Sequence, residues 1–284
     1  MYAALAVHTL IASGTYLVAK GAMSEIAPLV FAFYRFCLAS LVFLVIKALR
    51  RDYIPFSRSE WLTMAFLGVL AIPLNQGLFL YGLNYTQPTH PALLFGTTPI
   101  WVYIFSVWRG EETVSPRKTT GIIIALIGVL AFFIEKGITF KFDYLFGDSI
   151  IMIAVWSWAA YTVVGRPLVK KRGAMTVTST SLIIGTLIYF PPGLYLALTF
   201  DYSGVGWIGW SGVLYTAILM SVVAYTLWYW SIKHIETSKA AVFIYLHPII
   251  TAILAYFLIG ERLSGGSIIS GVVILIGVYI AQKG

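Results

Sequence analysis

Charge is what this chain has least of. Only 11% of its 284 residues are Asp, Glu, Lys or Arg, and 60% are apolar, whereas soluble globular domains carry about 25% charged residues. A fold of this composition cannot cover its surface with polar groups, so a water-soluble domain is excluded. Cysteine is nearly absent too, and Cys37 alone excludes an intramolecular disulfide. The four histidines His8, His90, His234 and His247 are scattered, with no His-x-x-x-His pair and no His/Cys cluster to hold a metal. No Gly-x-Ser-x-Gly elbow or glycine-rich phosphate loop occurs. Neither an enzyme nor an ATP-driven pump is therefore expected, and no catalytic residue, metal or cofactor.

What is present is long apolar runs. A helix needs about 20 apolar residues to cross the hydrocarbon core. Ten such runs are bounded by charges, Pro and Gly, over about 2–20, 27–48, 61–83, 90–108, 117–134, 147–165, 176–199, 206–230, 239–259 and 266–282. Runs such as GIIIALIGVLAFFI show no apolar/polar alternation, so these are helices and not barrel strands. The opening MYAALAVHTL has no basic n-region and reads as a first span, not a removed signal peptide. The expectation is an all-α membrane protein, a single transmembrane domain over 1–284.

The net charge of +8 reads as a topological signal, not as a nucleic-acid footprint. With the N-terminus inside, fourteen of the 19 basic residues fall in cytoplasmic segments; Lys20, Lys136, Lys141 and Arg262 lie opposite, and Arg35 lies within a span. That asymmetry predicts ten spans with both termini cytoplasmic.

The chain also repeats itself. At an offset of 149, Pro99-Ile100 meets Pro248-Ile249, Glu112 meets Glu261, Ser115 meets Ser264, and LIGV at Leu126 to Val129 meets LIGV at Leu275 to Val278. The start of each half aligns at offset 145, Tyr16 on Tyr161. The halves are expected over 1–142 and 143–284, and an odd number of spans per half forces the second to be inverted. Inverted repeats are a recurring plan of secondary transporters, with the substrate near midplane where the repeats meet.

Ten helices in two inverted five-helix halves, with a proline-bearing fourth span followed by GEE at 110–112 and its echo GER at 260–262, resemble the drug/metabolite transporter superfamily and its EamA family. The chain is most similar to bacterial exporters of aromatic amino acids. The resemblance implies a multi-pass protein of the bacterial inner membrane that exports small amphipathic metabolites by alternating access. A multidrug or other metabolite carrier, and a channel or structural subunit, are the competing readings. The expected partners are a small-molecule substrate and the bilayer, with a homodimer possible and no nucleic acid.

Every carboxylate falls in a loop or at a span end, which counts against a pump for cationic drugs and against obligatory proton or sodium coupling. The candidate substrate-binding residues are therefore amides, aromatics and isolated bases. Asn75 and Gln76 lie past the middle of the third span, where they serve either interhelical hydrogen bonding or a cavity wall; Phe79 follows one turn on. Of Trp101, Tyr103, Trp156, Trp158 and Tyr161, weighed by depth, Trp101 and Trp156 sit near the centres of their spans, away from the interfaces where such residues usually anchor, and with Tyr103 they are the aromatic candidates. Arg35 either snorkels outward or meets a carboxylate in a vestibule. His247 precedes Pro248 as Thr98 precedes Pro99, making two symmetry-related prolines that are either gating hinges or static bends. His8 is a lesser candidate. Glu112 and Glu261 suit structural or gating roles, and Gly121/Ala125/Gly128 with Gly271 and Gly277 suit a scaffold seam or a dimer surface.

Overall fold

The computed structural model describes residues 2–50, 55–87, 90–138, 141–259 and 264–284. Gly260, Glu261 and Arg262, which form the second echo, lie outside the described residues. Among the described residues ten helices are long and apolar enough to span a membrane: α1 (Tyr2–Ala22), α2 (Pro28–Arg50), α3 (Arg58–Tyr85), α4 (His90–Trp108), α5 (Pro116–Glu135), α6 (Phe142–Arg172), α7 (Ala174–Thr199), α8 (Trp207–His234), α9 (Thr237–Phe257) and α10 (Gly265–Lys283). No strand occurs among the described residues. In lipid a helix satisfies its own backbone groups, which is why uninterrupted apolar runs take this form.

Local signals place the helix ends. Ser57 and Glu60 close a capping box at the start of α3. Ser115 caps α5 by accepting from Lys118 N, and its repeat mate Ser264 caps α10 by accepting from Ser267 N. The sixth span, expected over about 147–165, lies within a helix that runs on to Arg172. Arg166 is satisfied inside the protein, its Nε and Nη2 donating to the carbonyls of Ile232 and Ile235, so the charge does not end the helix.

Repeat mates pack antiparallel. Across α5 and α10, Gly121 faces Ala281 while Gly128 faces Ile274, so residue numbers fall along one helix as they rise along the other. Across α2 and α7, Tyr189 donates to the Leu29 carbonyl and Ser40 to Thr186. Spans five and ten, and two and seven, therefore point in opposite directions, as inverted halves require. The irregularities repeat as well: α3 is π-wound over Leu70–Gly77 and α8 over Thr216–Ala224. α4 breaks at Thr97 before the helix Thr98–Trp108, and α9 passes through a 3-10 stretch, Val242–Leu246, before the helix from His247.

The α5–α10 seam is backbone against backbone. A Cβ added to Gly121 would collide with Ala281 N, one on Gly277 with Ala125 N, and one on Gly128 would lie 2.9 Å from Ile274 N. These small residues form a seam within the chain. Gly277→Val is expected to cost about 1–3 kcal/mol by overpacking and to lower the melting temperature in detergent. Gly265→Ala, with nothing among the described residues within 4 Å of an added Cβ, is the control and should melt close to wild type.

Candidate functional site

The site is a hollow of two joined chambers between the halves. The inner chamber, about 170 Å³, is walled by α1, α2, α3, α4, α6, α8 and α9. The second, about 330 Å³, lies between α1, α4, α5 and α9. Tyr16, Phe95, Ile244 and His247 line both. The second chamber runs from His247 to Lys136, which follows α5 at its end remote from the chain termini, so the hollow extends toward that side.

The inner wall is built on the π-wound stretches. π-Helical turns recur at functional sites because they redirect side chains and carbonyls that a regular helix would keep in register. In α3, Pro73 removes one backbone donor within the stretch, and Asn75 and Gln76 follow it. Asn75 Nδ2 donates to the Ala154 carbonyl of α6 at 2.8 Å, and Gln76 Nε2 donates to Asn75 Oδ1 at 2.7 Å. Gln76 Oε1 in turn accepts from Arg35 Nη1 at 3.0 Å. On the other side Arg35 Nε donates to Ser221 Oγ at 2.9 Å, and Ser221 donates to the Thr216 carbonyl at 3.0 Å in the π-wound part of α8. A continuous polar chain thus crosses from α6 through α3 and α2 to α8, joining both halves through one guanidinium.

Arg35 is 6% exposed, so it does not snorkel. Its charge rests over the Phe36 ring, 4.7 Å from the centroid, and no carboxylate pairs with it among the described residues. No Asp or Glu appears among the described residues lining either chamber. A charged side chain at the membrane centre costs at least about 2.5–3.5 kcal/mol, and such residues mark ligand and ion pathways. Gln76 and Ser221 solvate the guanidinium without neutralising it. The cavity is therefore suited to an anionic group.

The structure sorts the expected site residues. Arg35, Asn75, Gln76, Phe79 and His247 all line the inner chamber, where Phe79 meets Phe95 edge to face at 5.3 Å. Trp101, Tyr103 and Trp156 line neither chamber. Trp156 is 40% exposed on the outer surface of the bundle and packs edge to face on Trp101 at 5.2 Å. Tyr103 faces the termini end, where its hydroxyl accepts from Ser115 N at 2.8 Å and its ring lies 5.5 Å from Lys118 Nζ. Depth in the span did not reveal which side each ring takes. Trp158, two residues from Trp156 and hence on the opposite side of α6, is the tryptophan that enters the chamber, with Tyr225 and Tyr16. Ser221 was also missed. The π-wound stretches align at an offset of 146, which makes Ser221 the mate of Asn75.

Pro99 and Pro248 each occupy the second position of the helix that follows a break, at Thr97 and Val242–Leu246 respectively. The missing proline N–H costs nothing there, so the bends belong to the preceding residues and are symmetry-related.

The termini end is braced shut. Lys118 Nζ bonds Glu112 at 2.9 Å and Glu236 at 2.6 Å, while Glu112 also accepts from Thr237 Oγ1, Ser238 N and Ser238 Oγ. This joins the α4–α5 loop of one half to the start of α9 in the other. Burial pushes the Glu112 carboxyl up, but its bonds from Ser238, Lys118 and Thr237 outweigh burial and hold it below the usual carboxylate range. A second brace joins Glu60 to Arg172 and Lys171. Among the described residues no three His, Cys, Asp or Glu side chains gather as a metal site would need.

A cavity between inverted halves, closed at one membrane end and extending toward the other, defines a membrane transporter of the inverted-repeat class. The comparisons give the family. The profile of the EamA-like transporter family matches residues 1–134 and again 145–282, and the chain belongs to that family. It is 30% identical to an "Uncharacterized transporter" of Archaeoglobus fulgidus, covering 97% of this chain and 95% of that protein. It is 27% identical to the "Uncharacterized transporter YyaM" of Bacillus subtilis over 99% and 93% of the two chains. A WAT1-related protein of Arabidopsis thaliana is 23% identical over 96% and 78%. A solved crystal structure superposes with a TM-score of 0.81 at 17% identity, covering 100% of this chain and 97% of that one; it supports the fold.

The assignment of the cavity aromatics has a direct check. Trp158→Ala is expected to weaken cargo binding about tenfold, equivalent to about 1.4 kcal/mol, whereas Trp156→Ala should leave it within about twofold. Uptake into proteoliposomes across a cargo titration measures both.

Proposed function

We propose that this chain is a secondary carrier that exports small amphipathic metabolites, aromatic amino acids foremost, across a bacterial inner membrane by alternating access. The single observation that carries the reading is the buried Arg35, held without a charge partner among the described residues where the two halves meet. It meets the carboxylate of the cargo. The aromatic walls formed by Tyr16, Phe31, Phe79, Phe95, Trp158 and Tyr225 take the apolar body by stacking and edge-to-face contact. Lys and Arg concentrated in the termini-side segments support a cytoplasmic position for both termini. The described conformation then faces outward, with the Glu112 and Glu60 braces as the closed cytoplasmic gate. Exchanging the conformations of the inverted halves opens the same cavity inward.

The competing reading, a pump for cationic drugs, is disfavoured by a lining that holds Arg35 and no carboxylate among the described residues. A passive carrier of this kind runs down whichever gradient exists. Purified protein in liposomes preloaded with unlabelled phenylalanine is expected to accumulate labelled phenylalanine transiently, with no ATP and no imposed proton gradient. Absence of trans-stimulation for every cargo tried would indicate a channel or structural subunit. Exchange of some other metabolite, with phenylalanine and tryptophan inert, would replace the aromatic amino-acid assignment.

A further inference from the structure

Two histidines line the inner chamber, and neither takes part in the Arg35 network. His8 is 3% exposed, and its Nδ1 lies 3.0 Å from the Ala224 carbonyl. A carbonyl oxygen only accepts, so Nδ1 carries the proton and Nε2 presents a bare lone pair. His247 comes from α9, its ring centroid 6.4 Å from that of His8, and its buried Nε2 has no hydrogen-bond partner among the described residues. In its Nδ1-protonated form it offers a second lone pair to the same hollow. Three other polar side chains around the hollow are already engaged. The Asn75 and Gln76 oxygens already accept from Gln76 and Arg35 respectively, and Ser221 is engaged on both sides.

We propose that His8 and His247 are the second recognition end of the cargo site, accepting hydrogen bonds from the ammonium group of an α-amino acid whose carboxylate lies at Arg35. The inference rests on the carrier reading above and adds the group that reads the amino function. Its geometry comes from α8. Ser221 holds Arg35 and the Ala224 carbonyl holds His8, and these anchors are three residues apart in one helix, roughly 5 Å along its axis. The anion-binding and acceptor ends are thus neighbours, matching a cargo that carries both charges on one carbon. Pairing with a zwitterion also brings no net charge into a chamber that has no carboxylate among its described lining residues. Arg35, Tyr16 and Tyr225 are the other ionisable groups lining the chamber with the histidines, and none of them is a carboxylate that would draw a proton onto the imidazoles.

The test uses the full chain in proteoliposomes, with three probes competing against labelled phenylalanine: phenylalanine itself, 3-phenylpropionate without the ammonium, and phenethylamine without the carboxylate. Wild-type protein is expected to bind phenylalanine at least about tenfold more tightly than either analogue, the loss expected for an unmade bond to a charged group. His247→Leu breaks no hydrogen bond of Nε2 among the described residues and is the variant of choice; His8→Leu also loses the Ala224 contact and serves second. His247→Leu should weaken phenylalanine about tenfold and 3-phenylpropionate several-fold less, while Arg35→Gln weakens both acids alike. The inference is overturned if wild-type protein binds 3-phenylpropionate as tightly as phenylalanine, or if His247→Leu weakens the two acids equally or neither. Failure of phenylalanine to exchange at all, with another class of cargo moving, overturns the amino-acid reading and this inference with it.

Discussion

A guanidinium buried between two halves of a membrane protein, with no carboxylate beside it among the described residues, sets the terms for the rest of the structure. Arg35 must be solvated, and the polar chain from Ala154 through Asn75 and Gln76 to Ser221 does this with neutral oxygens. Neutral oxygens lower the cost of burying the charge but leave its field intact. The chain reaches Arg35 from two directions because α3 and α8 are both π-wound at the depth of the cavity. On the proposed reading, an anion that enters completes what the protein leaves open, and its binding acts on groups from both halves at once.

In the proposed carrier, inversion makes that arrangement reversible. The backbone seam of α5 and α10 is a fixed contact made possible by Gly121, Gly128 and Gly277. The breaks at Thr97 in α4 and Val242–Leu246 in α9 are equivalent positions in opposite orientations. The braces at the termini end are hydrogen bonds and ion pairs between side chains, with one bond from the Ser238 backbone N–H at the start of α9. Such contacts exchange for water when they open, so a gate built from them moves at modest cost. A rigid seam with polar gates is what a rocking carrier needs.

The spans and the repeat were legible in the sequence because a bilayer imposes strong rules on length and apolarity. Repetition of Pro, Glu and Ser in one register also exceeds what apolar helices match by chance. Ser115 and Ser264 both proved to be helix caps, so the repeat holds down to single hydrogen bonds. The cavity was only partly legible. Asn75, Gln76 and Arg35 stood out because polar groups are rare inside spans. Trp156 stood out equally and faces outward, whereas Trp158 faces in, because depth along a helix carries no information about azimuth. Winding was invisible as well: π turns shift azimuth without a distinctive composition, so Ser221 and Tyr225 were not singled out.

The most direct test is an experimental structure of the protein with bound phenylalanine. The account predicts the carboxylate within about 3 Å of an Arg35 guanidinium nitrogen, the usual reach of such a bond, with the ring among Phe79, Phe95, Trp158 and Tyr225. A ligand seated elsewhere, or in this cavity with its carboxylate turned away from Arg35, would contradict it.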